Sequence, residues 1–243
     1  MSALITICAR SGSKGLPGKH MRMFNGKPLI QWTIEQAVEC GLGIVCGSSD
    51  DSKLCDFMVD SGAAACLHRS PRLAKDDTPK LDVLRDAMDW FNNSFCDLSG
   101  QEKCDTLIDL DATNPCRTVE HILEAKWKFD KEKPDVLFSV TPAKKNPQFN
   151  QVEICNGHPF VYDGGGVTSR QEAVELFDMN SSIYIYDTKW LADPKNVHPV
   201  CFNSKAFVMS KYSFLDIDSI EDFVAAEALD RRYCIENVGS SAT

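Results

Sequence analysis

No Asp or Glu occurs between Met1 and Ile34, in a chain of 243 residues whose formal charge is -9. The same segment holds Arg10, Lys14, Lys19, His20, Arg22 and Lys27, so positive charge is concentrated locally within an acidic protein, the outline of a site for a small anion. Long apolar runs are also missing, which argues against a membrane-spanning helix, and Met1 leads into a short strand in place of a secretory signal. No Cys-x-x-Cys pair exists among the eleven cysteines, which are scattered and odd in number. Zinc and disulfide frameworks are therefore not expected, and thiols such as Cys8, Cys40, Cys46, Cys66 and Cys104 read as small reduced hydrophobes of a cytoplasmic protein. The acidic balance argues against nucleic acid as a partner, because binding a phosphate backbone needs a basic face. With 43% hydrophobic residues the chain can build one large α/β domain, alone or with an appendage.

The cations sit on a definite frame. Leu4-Ile5-Thr6-Ile7-Cys8 is a short apolar strand that runs into Ala9-Arg10-Ser11-Gly12-Ser13-Lys14-Gly15-Leu16-Pro17-Gly18-Lys19. Glycines let backbone N–H groups approach an anion, and cations neutralise it. Beyond Gly26-Lys27 a helix opens at Pro28, carries Ile30, Ile34, Ala37 and Val38 at helical spacing, and stops at Gly41. A P-loop ATPase is excluded: its motif needs four residues between the first Gly and the Gly-Lys pair, then Ser or Thr. Here five residues separate Gly12 from Gly18, and His20 follows Lys19. The dinucleotide fingerprint fails as well, because Gly12, Gly15 and Gly18 do not form its turn.

Strand and helix signals then alternate. Gly43-Ile44-Val45-Cys46 reads as a strand, 52–61 as a helix, 63–67 as a strand, and Leu81, Leu84, Met88 and Phe91 stripe a helix. Thr106-Leu107-Ile108-Asp109-Leu110 reads as a central strand, followed by a helix carrying Val119, Ile122, Ala125 and Phe129 and a strand over 136–140. The pattern predicts a doubly wound, mostly parallel Rossmann-like sheet, with ligands at the carboxyl ends of its strands. The rhythm breaks after Val140. Residues 141–187, with Pro142, Pro147, Pro159 and the turn Asp163-Gly164-Gly165-Gly166, read as a β-rich arm with too little core of its own, covered by a second subunit. The expected organisation is a nucleotide-binding core over 1–140 and 188–235, the arm over 141–187, and a polar tail over 236–243.

Near the C-terminus, Phe214-Leu215-Asp216-Ile217-Asp218 reads as a short strand, which puts both carboxylates on one face. Such a pair is a magnesium site if a triphosphate supplies further ligands. It is equally a helix start, with Asp218 and Glu221 forming a variant capping box.

Five motifs occur together: Ile7-Cys8-Ala9-Arg10-Ser11-Gly12-Ser13-Lys14-Gly15, Leu73-Ala74 with Asp76 and Asp82-Val83, Thr113-Asn114-Pro115-Cys116-Arg117, Ser169-Arg170-Gln171, and Asp216-Ile217-Asp218. In this order they resemble the acylneuraminate cytidylyltransferases, the CMP-sialic acid synthetase family of nucleotidyltransferases. Leu110-Asp111-Ala112-Thr113-Asn114-Pro115, Lys145-Asn146-Pro147-Gln148-Phe149-Asn150 and Asp178-Met179-Asn180-Ser181-Ser182-Ile183-Tyr184 look most like the bacterial CMP-legionaminic acid synthetases within it. The resemblance implies a Mg²⁺-dependent transfer of CMP from CTP to the anomeric hydroxyl of an acidic nine-carbon keto-sugar. It implies that Arg10, Lys14 and Lys19, with Ala9, Gly12, Ser13 and His20, hold the triphosphate, and that Arg69, Asp77 and Thr78 lie near the cytidine. Asp216 and Asp218 would bind the metal, with Asp218 counted among the catalytic residues. Asp111, Thr113, Lys144, Lys145, Arg170 and Gln171 would meet the sugar, and the arm would make a homodimer or a pair of dimers. Asp111 stands where many sialic acid enzymes have Gln, so a carboxylate would read the sugar in place of an amide. His20 stands where the family commonly has Asn. The same reaction on an eight-carbon keto acid or pseudaminic acid, or a non-enzymatic nucleotide sensor, are the competing readings.

Overall fold

A computed structural model of the protein describes residues 3–12, 15–163, 166–169, 171–211, 213 and 215–229. Ser13, Lys14, Arg170 and the polar tail therefore lie outside the described residues.

The chain begins with β1 (Ala3–Cys8), a loop, a two-residue ladder of β2 (Met23–Phe24) with β3 (Lys27–Pro28), and α1 (Leu29–Glu39). It continues through β4 (Gly43–Ser49), α2 (Ser52–Asp60), β5 (Ala65–His68), α3 (Lys80–Trp90), α4 (Cys96–Ser99), β6 (Thr106–Leu110), α5 (Val119–Glu132) and β7 (Val136–Pro142). A hairpin of β8 (Val152–Cys155) and β9 (His158–Val161) follows, then β10 (Phe177–Asp187), α6 (Thr188–Ala192), β11 (Ser204–Val208) and α7 (Ile220–Ala228). Seven strands form one sheet in the order β11-β7-β10-β6-β1-β4-β5. Every neighbouring pair is parallel except the two that involve β10, which runs against both β7 and β6.

Alternation along β1 distributes the core. Ile5 and Ile7 point to the side covered by α1, α2 and α5, where they meet Ile30, Ile34, Met58 and Ile122. Leu4 points to the other side, against Leu84, Met88 and Phe91 of the α3 region. Both faces of β1 are thus dry, as the centre of a parallel sheet requires. The cysteines behave as small hydrophobes: Cys46 and Cys104 are buried, and burial pushes their thiols up to about 12 and about 11 respectively. A third cluster joins Leu16 of the loop to Trp32, Leu215, Ile217 and Phe223, so the glycine loop and the segment before α7 share one core.

Three expectations are corrected. The segment 141–187 is not one arm: Ile183–Asp187 of β10 pairs with β6, and the strand lies in the middle of the main sheet. Among the described residues of this segment, only the β8–β9 hairpin stands as a separate two-stranded sheet. Residues 215–218 form no strand; the segment is tied by Ile217 N–H donating to the Thr113 carbonyl at 3.0 Å. Burial of Leu215 and Ile217 still leaves Asp216 and Asp218 on the opposite side. The cap of α7 is Ser219 with Asp222, so the Asp218 carboxylate is not used as a helix cap.

Candidate active site

The glycine loop leaves β1 at the carboxyl edge of the sheet and is anchored first by backbone. Ala9 N–H donates to the Ser48 carbonyl at 3.0 Å. Ser11 then donates from N–H and hydroxyl to the two oxygens of Asp50, at 2.8 and 2.6 Å. Burial opposes ionisation of Asp50, but the Ser11 hydrogen bonds outweigh it and lower its pKa. Asp50 is thus a loop anchor. Gly15 lies against Asp218: a Cβ there would sit 2.1 Å from the Asp218 carbonyl oxygen, a contact that only glycine avoids. Gly12 faces open space.

Beyond the loop, Lys19 is 9% exposed. Its ammonium donates to the Ile217 carbonyl and to Asp218 Oδ1, both at 2.8 Å. Arg10 donates to Asp76 at 2.5 Å, and Arg69, buried at the end of β5, donates to the Ser48 carbonyl at 2.9 Å. His20 is buried, and desolvation, aided by the neighbouring Lys19 charge, lowers it to about 4, so it is neutral. These residues line one cavity of about 370 Å³ together with Lys75, Thr78, Lys80, Asp111, Thr113, Asp216 and Asp218. Of the turn Asp76 to Thr78 expected near the cytidine, Asp76 and Thr78 line the cavity and Asp77 does not.

The acidic wall is built on the turn after β6. Asp111 Oδ1 accepts from the Thr113 N–H at 2.9 Å and from its hydroxyl at 2.6 Å. The same hydroxyl contacts Asp216 Oδ1 at 2.5 Å. Burial opposes ionisation of Asp111, yet Lys80 and the Thr113 hydrogen bonds lower its pKa. Asp216 is raised to about 6, first by burial and then by the Asp111 carboxylate. Arg117 braces this turn from behind. It is 1% exposed and donates to the carbonyls of Ser182 and Asp111 at 2.7 and 3.3 Å, and to the Thr33 hydroxyl at 3.0 Å.

Two functional candidates were not picked out from sequence. Lys80 lies 3.1 Å from Asp109, and Asp109 is 1% exposed. A carboxylate inside the apolar run of β6 is the signal that could have found them, because a buried charge demands a partner. Lys80 and Asp111 also line a second cavity of about 430 Å³, walled by Met179, Tyr184, Tyr186, Val197 and Pro199. Lys144, Lys145 and Gln171 line a third, of about 380 Å³, that shares no lining residue with the other two. Within one chain, the expected sugar-contact residues therefore divide: Asp111 and Thr113 face the first cavity, while Lys144, Lys145 and Gln171 face another.

The family model described as cytidylyltransferase matches residues 4–237. The chain is a member of the cytidylyltransferase family. Within that family it is 34% identical over 231 residues to post-translational flagellin modification protein B of Campylobacter coli, covering 93% of this chain and 94% of that protein. It is 36% identical over 231 residues to the CMP-N,N'-diacetyllegionaminic acid synthase of Campylobacter jejuni, with the same coverage of 93% and 94%. The fold of this cytidylyltransferase resembles that of a CMP:2-keto-3-deoxy-manno-octonic acid synthetase solved with CTP, at TM-score 0.69 and 17% identity, covering 96% of this chain and all of that one. Among the described residues no helix is long and apolar enough to cross a membrane.

Proposed function

We propose that this cytidylyltransferase transfers CMP from CTP to the anomeric hydroxyl of a nonulosonic acid of the legionaminic or sialic acid type and releases pyrophosphate. The carrying observation is the cavity at the strand ends, with Arg10, Lys19, Arg69 and Lys75 among its lining and Asp111, Asp216 and Asp218 facing them. Relatives at this level of identity that carry a CMP-sugar synthase name support the acceptor class.

The residues fit a divalent cation. Burial and the Asp111 and Asp218 carboxylates together raise Asp216, a crowding that a bound Mg²⁺ would relieve. Among the described residues no cluster of three His, Cys, Asp or Glu could hold a metal by itself, which suits an ion that takes its remaining ligands from substrate phosphates. Asp216 and Asp218 would hold it, and it would neutralise charge on the transferring phosphoryl group. The chain itself binds and orients. Arg10 and Lys19 meet the triphosphate by exchanging Asp76 and Asp218 for phosphate oxygens, and they stabilise the charge that builds on the departing pyrophosphate. The anomeric oxygen forms its bond to the α-phosphorus as the bond to the β-phosphate bridge breaks; that electron pair leaves on pyrophosphate, and the hydroxyl proton passes to water. Neutral His20 excludes water without adding charge. A second copy of the chain covers the β8–β9 hairpin, where Ile154 is 72% and Phe160 58% exposed.

The test is pyrophosphate release from CTP and Mg²⁺ with N,N'-diacetyllegionaminate, N-acetylneuraminate, pseudaminate and the eight-carbon keto acid. Release with one of the first two is expected. CTP binding without release for any acidic sugar would overturn the proposal.

A further inference from the structure

We propose that Lys80 is the residue that reads the acceptor's carboxylate, at the junction between the nucleotide cavity and the second cavity; this rests on the acceptor being an acidic α-keto sugar. In such a sugar the carboxyl carbon is bonded directly to the anomeric carbon that bears the attacking hydroxyl. Carboxylate and nucleophile therefore arrive at the α-phosphate together, and the cation that receives the carboxylate must face both the nucleotide and the acceptor. Among the described residues Lys80 is the one lysine or arginine that lines both cavities. Arg10 and Lys19 line the first and not the second, while Lys144 and Lys145 line neither.

The local chemistry is that of a prepared anion contact. The Lys80 ammonium is held 3.1 Å from Asp109 Oδ2, and the other oxygen of Asp109 accepts from the Thr6 hydroxyl at 3.1 Å. Asp109 is buried on β6, at 2% side-chain exposure, whereas the Lys80 side chain is 42% exposed. An ammonium has three hydrogens; one is committed to Asp109, two remain, and the residue lines both cavities. Burial works against the charge, but the Asp109 carboxylate outweighs it and keeps the amine protonated. Lys80 also answers a problem set by Asp111, which lines both cavities and would repel an acidic acceptor. With Lys80 taking the carboxylate, Asp111 is left to accept hydrogen bonds from sugar hydroxyls.

The experiment compares the acidic sugar with its C1 carboxamide in wild type, Lys80→Met, Lys80→Arg and the double variant Lys80→Met with Asp109→Leu. The double variant removes the carboxylate that the single change strands, so a folding defect cannot masquerade as the effect. Expected for both Met variants is a rise in KM for the acid of roughly ten- to a hundredfold, the range for losing a hydrogen bond to a charged group. The wild-type preference for acid over carboxamide should collapse, CTP affinity by calorimetry should hold within about threefold, and Lys80→Arg should keep most of the preference. An acid-over-carboxamide preference in the double variant equal to wild type, or an equal loss of CTP affinity, would overturn the assignment. Wild-type enzyme that turns over no acidic sugar would overturn the parent reading instead.

Discussion

The Thr113 hydroxyl oxygen lies 2.5 Å from an oxygen of Asp216. It lies 2.6 Å from an oxygen of Asp111 as well, and one hydroxyl has one hydrogen to give. Asp216 is raised to about 6, so below that pH it gains a proton that it can donate to Thr113 while Thr113 donates to Asp111. Metal binding at Asp216 must expel that proton. The concentration of Mg²⁺ for half-maximal rate is therefore expected to rise by about fourfold in all as pH falls from 7.5 to 5.5, because one proton that binds at about 6 then competes with the metal. A half-saturation that does not move with pH would remove Asp216 from the metal site.

Arg10 pairs with Asp76 at 2.5 Å, but with side-chain exposures of 33% and 42%. An ion pair in that setting adds little to stability, about 0–1 kcal/mol. Replacing Arg10 by Ala should leave the melting temperature nearly unchanged and reduce kcat by roughly a hundred- to a thousandfold, the effect of losing one preorganised charge contact. Wild-type kinetics in this variant would take Arg10 out of the reaction.

His20 and His121 are both buried and both lowered to about 4 by desolvation. The unfolded chain binds a proton near pH 6.5 that the folded chain refuses, so each histidine stabilises the fold fully above that value and progressively less as pH falls toward 4. Asp216, raised to about 6, slopes the opposite way, so the difference between two proteins is the useful quantity. His121 Nδ1 accepts from the Thr118 N–H at 3.2 Å, and Asn retains an acceptor there. Urea unfolding at pH 6.5, 5.5 and 4.5 should show His121→Asn losing less stability than wild type, by about 1.4 kcal/mol per pH unit. Parallel curves would mean that His121 is not neutral in the fold.

Gly15 and Gly12 form a matched pair of tests. Ala at position 15 brings a Cβ to 2.1 Å from a backbone oxygen, whereas at position 12 it meets nothing within 4 Å. Gly15→Ala should cost about 1–3 kcal/mol by overpacking and weaken CTP binding, while Gly12→Ala should stay within about 0.5 kcal/mol of wild type. Melting curves and CTP calorimetry on both variants decide it.

Local pattern was enough to read most of the fold and one wall of the site. Residues 106–110 read as a strand and form one, and α1 buries Ile30, Ile34 and Ala37 of its expected stripe while Val38 is exposed. β10 was misread because alternation over 183–186 shows that a segment is a strand and says nothing of its partners. Its place between β6 and β7 comes from pairings reaching back across the chain. Lys80 was missed for a similar reason: in sequence it opens a helix, and its meaning comes from Asp109, on the strand beside β1. Asp216 and Asp218 were legible as a pair, although what aligns them is the burial of Leu215 and Ile217 under α7, with no strand ladder.

Lys19 and Asp218 touch across 199 positions. During synthesis the cationic loop leaves the ribosome long before Ile217 and Asp218, the partners of Lys19, exist, and loop closure over such a span is the costly, late kind of contact. A nascent or prematurely terminated chain that stops short of Ile217 carries the basic loop and its Asp50 anchor but neither the partners of Lys19 nor Asp218. The loop's contact with this segment therefore forms only once Ile217 and Asp218 have been made.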